Sequence, residues 1–289
     1  MVKLHVRLLR ALLQYYPIRL GKGFLATTLF ANSELPDGEI VCTREGVKVI
    51  VHPDWMYKWI YLYREYEPEE TVVFKRIVKK GDLCFDVGAN FGYYSCLFAR
   101  LGATVHAFEP LPSNYLLNQE TVKLNRLEAE ILTNNIGLGA ASGEFTVYTF
   151  AGLSNGHASA TTLGRQDSKP HVCKITTLDE YCEKARIEKI DFMKMDIEGH
   201  EYECLKGGAR VLTGGGAPII HFEVNAECLA DRGRDANELV RLLAGYGYSR
   251  FYRISKYGKL IDIHQSITKK NGDYVAFKDC HDQRMARLI

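Results

Sequence analysis

Eight cysteines without a single Cys-x-x-Cys pair remove the usual spacing of zinc sites and redox dithiols, and no disulfide framework is suggested. The expected state is reduced thiols in a cytoplasmic protein. No apolar run approaches the ~20 residues of a membrane span. Lys3, Arg7 and Arg10 are scattered without a separate apolar block and cleavage site, so a signal peptide is not expected. An excess of one charge is missing too. The 37 Lys and Arg against 35 Asp and Glu leave +2, which gives no general pull toward nucleic acid or an anionic membrane. Internal repeats, low-complexity tracts and charge blocks are absent. The chain also lacks the middle glycine of a dinucleotide fingerprint. In Gly88-Ala89-Asn90-Phe91-Gly92, Asn90 stands where that glycine belongs, which argues against a nicotinamide-dependent oxidoreductase.

What is present is a globular balance: 46% hydrophobic and 25% charged residues in 289, enough for one large domain with an extension. The organising stretch runs from Asp82 to Ser95. Leu83, Cys84, Phe85 and Val87 supply the apolar run of a strand covered on both faces. Gly88 and Gly92 then allow a sharp turn and a close backbone approach. An acidic strand end, Asp86, before a D-x-G-x-x-x-G turn suits a cofactor without a pyrophosphate, with the carboxylate beside a cationic amino-acid portion.

Helical spacing over residues 4–16 puts Leu4, Leu8, Leu9, Leu12, Leu13 and Tyr16 on one stripe, opposite Lys3, Arg7, Arg10 and Gln14. That helix is expected to pack on the domain or on a partner chain, a homo-oligomer included. A basic polar face also allows peripheral membrane contact. Strands are expected at 47–51, 103–108, 130–134, 190–195 and 218–222, and helices at 68–80, 113–125, 177–185 and 236–244. Strand and helix alternating with short links predicts a parallel sheet with right-handed crossovers. Alternation at 144–149 and 171–175 predicts an inserted antiparallel pair around a Gly/Ser-rich loop at 152–164. Thr177 with Glu180 forms a capping-box pattern. Phe251–Ile254 and Tyr274–Phe277 read as closing strands. The domain division is 1–66 as an extension and 67–289 as the main domain, carrying an insertion at about 144–175.

Asp86, Glu109, Asn135, Asp196 and Glu223 all fall at carboxyl ends of successive expected strands, the edge at which open α/β sheets bind ligands. Glu109 follows Asp86 at about the 20-residue interval of a ribose-binding acid. Asp86-Val87-Gly88-Ala89-Asn90-Phe91-Gly92, Ala107-Phe108-Glu109-Pro110 and Lys194-Met195-Asp196-Ile197-Glu198-Gly199-His200-Glu201 resemble the FkbM family of S-adenosylmethionine-dependent methyltransferases. Asn135-Ile136-Gly137-Leu138 and Tyr66-Glu67-Pro68-Glu69 are similar to it as well. The resemblance covers roughly Glu67 to Asn225.

The resemblance implies the α/β class I methyltransferase fold: a Rossmann-like, mostly parallel seven-stranded sheet with an antiparallel last hairpin and helices on both faces. It implies S-adenosyl-L-methionine as cofactor, S-adenosyl-L-homocysteine as product, and a hydroxyl of a sugar, glycan or secondary-metabolite scaffold as methyl acceptor. Carried onto this chain, Asp86, Gly88, Asn90 and Gly92 line the amino-acid end, Glu109 with Pro110 holds the ribose, Asn135 lies near adenine, and Asp196 faces the sulfonium. Candidate general bases are Asp196, His200 and Glu223, with His157 in the loop a further one. His221 is expected as a hydrogen-bonded core residue and Glu198 as a turn-former. A magnesium ion on Asp196, Glu223 and Asn225 is chemically possible but not required, and no metal is expected. The alternatives are a non-catalytic cofactor-binding scaffold and a nicotinamide oxidoreductase. A nucleic-acid methyltransferase is disfavoured by near-neutral charge and by the missing N/D-P-P-Y/F motif.

Overall fold

The computed structural model describes residues 35–150, 158–159, 161–269, 271–286 and 288. The helix expected over 4–16, the His157 candidate and much of the Gly/Ser-rich loop lie outside the described residues. The chain divides at Pro68 into two compact units. In the first, Glu39–Cys42 (β1) pairs antiparallel with Lys48–Val51 (β2). Alternation sets this hairpin: Val41, Val49 and Val51 are buried while Cys42 and Lys48 face out. The Thr43 hydroxyl accepts from Val47 N at 3.2 Å and closes the turn. Helix Tyr57–Tyr63 (α1) follows and stops at Arg64, which adopts φ 59°.

The second unit is built on a strand–helix alternation. Pro68–Ile77 (α2) opens on proline, whose missing N–H costs nothing in a first turn, with Glu69 and Glu70 beside that helix's positive end. Then come Leu83–Val87 (β3), Tyr93–Arg100 (α3), Thr104–Phe108 (β4), Pro112–Asn125 (α4) and Ile131–Asn134 (β5). Gly137–Leu138 (β6), Gly143–Phe150 (β7) and Ser168–Thr176 (β8) form a separate three-stranded sheet. Leu178–Ala185 (α5), Phe192–Met195 (β9), Glu201–Lys206 (α6), Ala209–Thr213 (α7) and Ile219–Asn225 (β10) return to the main sheet. Ala226–Asp231 (α8), Ala236–Gly245 (α9), Arg250–Ile254 (β11), Leu260–Asp262 (β12), Asn271–Phe277 (β13) and Asp282–Met285 (α10) complete the described chain.

The main sheet runs β12-β11-β13-β10-β9-β3-β4-β5. Strands β5, β4, β3, β9 and β10 are parallel, and β13 inserts antiparallel between β10 and β11. This is the class I methyltransferase topology. It has eight strands rather than the seven expected, because three residues past the turn after β11 pair back on that strand as β12.

The two faces of the sheet differ in chemistry, and the period of two assigns them. Phe85, Met193, Ile220 and Phe222 join Leu178, Cys182, Leu205, Leu239 and Leu243 in one apolar core. Their neighbours Asp86, Phe192, Lys194 and His221 point to the other face. There Phe74 of α2 packs on Phe192 at 5.3 Å and on His221 at 4.8 Å between ring centroids, and Phe98 of α3 packs on Phe192 at 5.5 Å. At the amino ends of the strands, Arg284 of α10 takes both oxygens of Asp82 at 2.6 and 2.8 Å and reaches Asp191 at 3.2 Å. Asp191 in turn accepts from Leu83 N at 3.0 Å.

In α5, Thr177 accepts from Glu180 N at 3.0 Å, the first half of the expected capping box. Glu180 is engaged elsewhere, accepting from Ser142 Oγ at 2.6 Å. The 144–149 and 171–175 segments do pair antiparallel, with Phe145 opposite Cys173, and β6 joins them in parallel on β8.

Candidate active site

Two turns meet at the carboxyl edge of the sheet. The first leaves β3. Gly88 and Ala89 both donate to Phe108 O at 3.0 Å, which fastens this turn to the end of β4. Gly88 has φ +77°, and a Cβ there would lie 1.9 Å from the carbonyl oxygen of Asp196. Only glycine lets the two turns touch. Asn90 adopts φ 49°, a conformation asparagine tolerates better than most residues. Gly92, at φ +86°, starts α3 against the Asn118 side chain.

The second turn leaves β9. Glu198 and Gly199 both have positive φ, 49° and 89°. The buried Glu201 carboxylate closes the loop by accepting from Ile197 N at 3.1 Å and Gly199 N at 3.4 Å. Burial pushes the Glu201 carboxyl up to about 8 despite those donors. Glu198 accepts from Asn225 Nδ2 at 3.0 Å and from Cys228 Sγ at 3.6 Å.

One buried cation joins the turns. Lys194 Nζ donates to Gly88 O at 3.1 Å and lies 3.6 Å from Asp86 Oδ1 and 3.3 Å from Asp196 Oδ2. Asp86 is fully buried and accepts from Ser95 Oγ at 2.6 Å. Beside them the carboxylate atoms of Asp196, Glu198 and Glu223 lie within 4.8 Å of one another. Desolvation and the Asp196 charge raise the Glu223 carboxyl well above its ordinary value, and it shares a hydrogen bond with Asp196. Asp196 is held below its usual range: burial is the largest single influence and opposes ionisation, but the Lys194 charge together with neighbouring hydrogen-bonding and charged groups outweighs it. Such a trio has the oxygen donors a divalent cation takes, though Lys194 already supplies Asp196 with positive charge.

Above the turns lies a cavity of about 80 Å³. Gly88, Asn90, Glu109, Pro110, Asp196 and His200 line it, with Asn114, Leu138, Phe145, Val147 and Glu198 among the others. Glu109 accepts from Asn90 N at 2.9 Å and Leu111 N at 3.0 Å, which leaves each oxygen a further lone pair. Burial lifts its carboxyl to about 7, against those two donors.

Other residues expected at the site stand behind it. Asp86 and Gly92 buttress the first turn from below. Asn135 is exposed, and its amide donates to Glu109 O at 2.9 Å and Pro110 O at 3.0 Å. It therefore shapes the Glu109 turn from outside the cavity. Glu223 acts on the cavity through Asp196. His221, buried, pairs with Asp273 at 3.1 Å. His200 has its Nδ1 2.9 Å from Arg232 Nη1, and burial with the Arg232 charge lowers it to about 4. A guanidinium only donates, so His200 Nδ1 is an occupied acceptor, which removes it as a base.

Lys194 is the residue with no role foreseen from sequence. Its signal was there: a lysine in the middle of the buried strand Phe192-Met193-Lys194-Met195 demands a charge partner.

The motifs, their order and the shared rim agree with what a family comparison returns. The methyltransferase FkbM domain matches residues 86–250, more than half of the chain. The chain belongs to the FkbM methyltransferase family.

Among curated relatives of this FkbM chain, the hexuronic acid methyltransferase AglP of Haloferax volcanii is 27% identical over 187 residues, covering 64% of this chain and 72% of that protein. The 31-O-demethyl-FK506 methyltransferase FkbM of Streptomyces tacrolimicus is 28% identical over 218 residues, covering 65% and 81%. A solved FkbM methyltransferase from Methylobacillus flagellatus has a TM-score of 0.45 at 14% identity. That match covers 77% of this chain, and this chain spans about half of that one, 53%.

Proposed function

We propose that this chain is an S-adenosylmethionine-dependent O-methyltransferase acting on a hydroxyl of a sugar, glycan or secondary-metabolite scaffold. One observation carries the reading. The Gly88 turn, Glu109 and Asp196, contributed by three adjacent parallel strands, open onto a single cavity. The residues fit an adenosyl amino acid. Glu109 keeps lone pairs for two ribose hydroxyls, Gly88 leaves the approach to the turn open, and the carboxylates around Asp196 favour a cation. The acceptor class draws support from the two curated relatives, one named for hexuronic acid and one for 31-O-demethyl-FK506.

When bound, the cofactor supplies an electrophilic methyl group on a sulfonium. The chain's own work is alignment and proton management. Glu109 would hold the cofactor through its remaining lone pairs, the Gly88 turn would leave room for its approach, and the cavity wall would align the acceptor oxygen. Such alignment contributes on the order of 7–11 kcal/mol. Asp196 takes the hydroxyl proton. A carboxylate of low pKa would be adequate, because a hydroxyl that takes a methyl group from a sulfonium, with the methyl–sulfur bond breaking to leave a neutral thioether, becomes strongly acidic. Glu223, whose carboxyl lies within 4.8 Å of that of Asp196, packs beside it and limits its orientation.

The test is transfer of labelled methyl from S-adenosylmethionine to a panel of hydroxylated acceptors. Asp196→Asn is expected to lower kcat by about 10²–10⁴-fold, with S-adenosylhomocysteine affinity kept within a few-fold. Absence of measurable affinity for either adenosyl ligand in the folded wild-type protein would refute the reading.

A further inference from the structure

Two carboxylates stand side by side in the wall of the cavity, those of Asp196 and Glu198. They come from one turn and bring carboxylate oxygens within 4.8 Å of each other. Each is held by a different part of the fold. Asp196 lies 3.3 Å from Lys194 Nζ, the cation that also donates to Gly88 O at 3.1 Å. Glu198 is held from the junction of β10 and α8. Its Oε2 accepts from Asn225 Nδ2 at 3.0 Å and from Cys228 Sγ at 3.6 Å. Asn225 is fixed in turn as the cap of α8, its Oδ1 accepting from Cys228 N at 3.3 Å. The turn sits directly on that helix: a Cβ at Gly199 would lie 2.7 Å from Cys228 Cβ. Glu198 itself adopts φ 49°, a conformation that costs free energy in a residue other than glycine and persists only where its surroundings enforce it.

The pair can do what one carboxylate cannot. Asp196 alone suffices to take the proton of a reacting hydroxyl. A carboxylate accepts about four hydrogen bonds, so the two donors on Glu198 do not exhaust it. It offers the cavity a second acceptor beside the first. A ligand with one isolated hydroxyl would displace water from that second carboxylate and return no hydrogen bond. A 2-hydroxy acid would set carboxylate against carboxylate. Hydroxyls on adjacent carbons fit both. Their oxygens lie about one hydrogen-bond length apart, ~2.8 Å, and two O–H···O bonds diverging from them reach acceptors up to 4.8 Å apart.

We infer that the methyl acceptor presents a vicinal diol, and that Glu198 binds the hydroxyl beside the one that is methylated. The inference rests on the O-methyltransferase reading above and deepens it to a substrate class. The reacting hydroxyl oxygen bonds to the methyl carbon while the methyl–sulfur bond breaks, its electron pair staying on sulfur, and the hydroxyl proton passes to Asp196. The second hydroxyl keeps its proton, donates a hydrogen bond to Glu198 and so positions the first.

Four probes built on one ring test it: cis- and trans-1,2-cyclohexanediol, 1,4-cyclohexanediol and cyclohexanol. Each is incubated with labelled S-adenosylmethionine and a chelator, so that hydrogen bonding and not a bound metal is read. The wild-type protein is expected to methylate at least one 1,2-diol with kcat/KM about 10–100-fold above that of cyclohexanol, the worth of one hydrogen bond to a carboxylate. The 1,4-diol is expected to do no better per hydroxyl than cyclohexanol. Glu198→Ala is expected to bring the 1,2-diol down to the cyclohexanol value while cyclohexanol itself stays within a few-fold. A residue that only shaped the turn would lower all four alike. If Glu198→Ala fails to fold, Glu198→Gln serves: it keeps the oxygen that Asn225 needs and, with one acceptor oxygen fewer, is expected to narrow the preference several-fold. The inference is overturned, and the cofactor reading left standing, by any of three results: a wild-type protein without preference for a 1,2-diol, one that binds S-adenosylhomocysteine yet methylates none of the four, or a Glu198 variant that keeps the full preference. Failure of the wild-type protein to bind S-adenosylhomocysteine overturns both.

Discussion

At the scale of single residues, Lys194 decides more than its position suggests. It is the positive charge between Asp86 and Asp196, with 4% of its side chain exposed. Removing one partner of a buried pair leaves an uncompensated charge. Lys194→Met is therefore expected to destabilise the fold by about 3–5 kcal/mol, read as a lower denaturant midpoint, and Lys194→Met with Asp86→Asn is expected to recover part of it. An additive double variant would show that the two groups are not coupled. Glu201 makes the second residue-scale prediction. Its folded pKa, about 8, exceeds its ordinary 4.5. The unfolded chain thus binds fewer protons than the native one between those values, and stability falls as pH rises through that window. Glu201→Gln keeps the acceptor oxygen for the turn and removes the charge. It is expected to flatten the thermal midpoint between pH 5 and 8 and to raise it at pH 8. An unchanged slope would assign the loss to other groups.

Sequence and side-chain direction part company at this scale too. The strand-end acids were legible because β3, β4, β9 and β10 read as apolar runs with polar stops. Which acids face the cavity was not, because a strand turns alternate side chains to opposite faces. Asp86 lies on the side of Lys194 and of Phe74 from α2, and so buttresses the turn. The state of His200 was beyond reach for another reason: Arg232, 32 positions away, sets it through a contact only the fold creates.

At the scale of elements, two turns are pressed together with no side chain between them. Gly88→Ala would drive a methyl group to 1.9 Å from the Asp196 carbonyl oxygen, at φ +77°. The main chain must move, and both turns with it. The expected outcome is loss of S-adenosylhomocysteine binding by at least 10-fold and destabilisation of more than about 1 kcal/mol, measured by calorimetry and chemical denaturation. Retained binding would mean that the turns separate at little cost. Glycine at this point could be read from the D-x-G-x-x-x-G pattern, yet the identity of its neighbour could not. The 144–175 insertion was legible as alternation. Its third strand, Gly137–Leu138, is two residues long, too short for any periodic signal. The same limit hid β12, whose three residues gain strand form only by pairing with β11.

At the scale of the whole second unit, the sheet is clamped at one edge and open at the other. Arg284, from near the end of the chain, bridges Asp82 before β3 and Asp191 before β9, both far from it in sequence. Arg284→Ala would remove the charge partner of Asp82, whose side chain is 6% exposed, and leave it the Lys79 N–H at 2.8 Å. It is expected to cost about 1–3 kcal/mol, seen as a lower thermal midpoint, with S-adenosylhomocysteine affinity unchanged because the cavity lies at the opposite strand ends. Weakened binding in that variant would show that the two edges communicate. Sheet order and closing hairpin were legible at this scale from the alternation of elements and the ordered motifs. The Arg284 clamp was not, since nothing local marks an arginine for partners so distant. Among the described residues, no helix is long and apolar enough to cross a membrane.

The backbone-to-backbone contact at Gly88 has a consequence for how this enzyme scaffold can diversify. A floor one main chain thick offers no adjustable part: it can be neither deepened nor padded without losing the cofactor seat. Novelty in the molecules admitted must then be written into the wall that β7 supplies, where Phe145 and Val147 line the cavity.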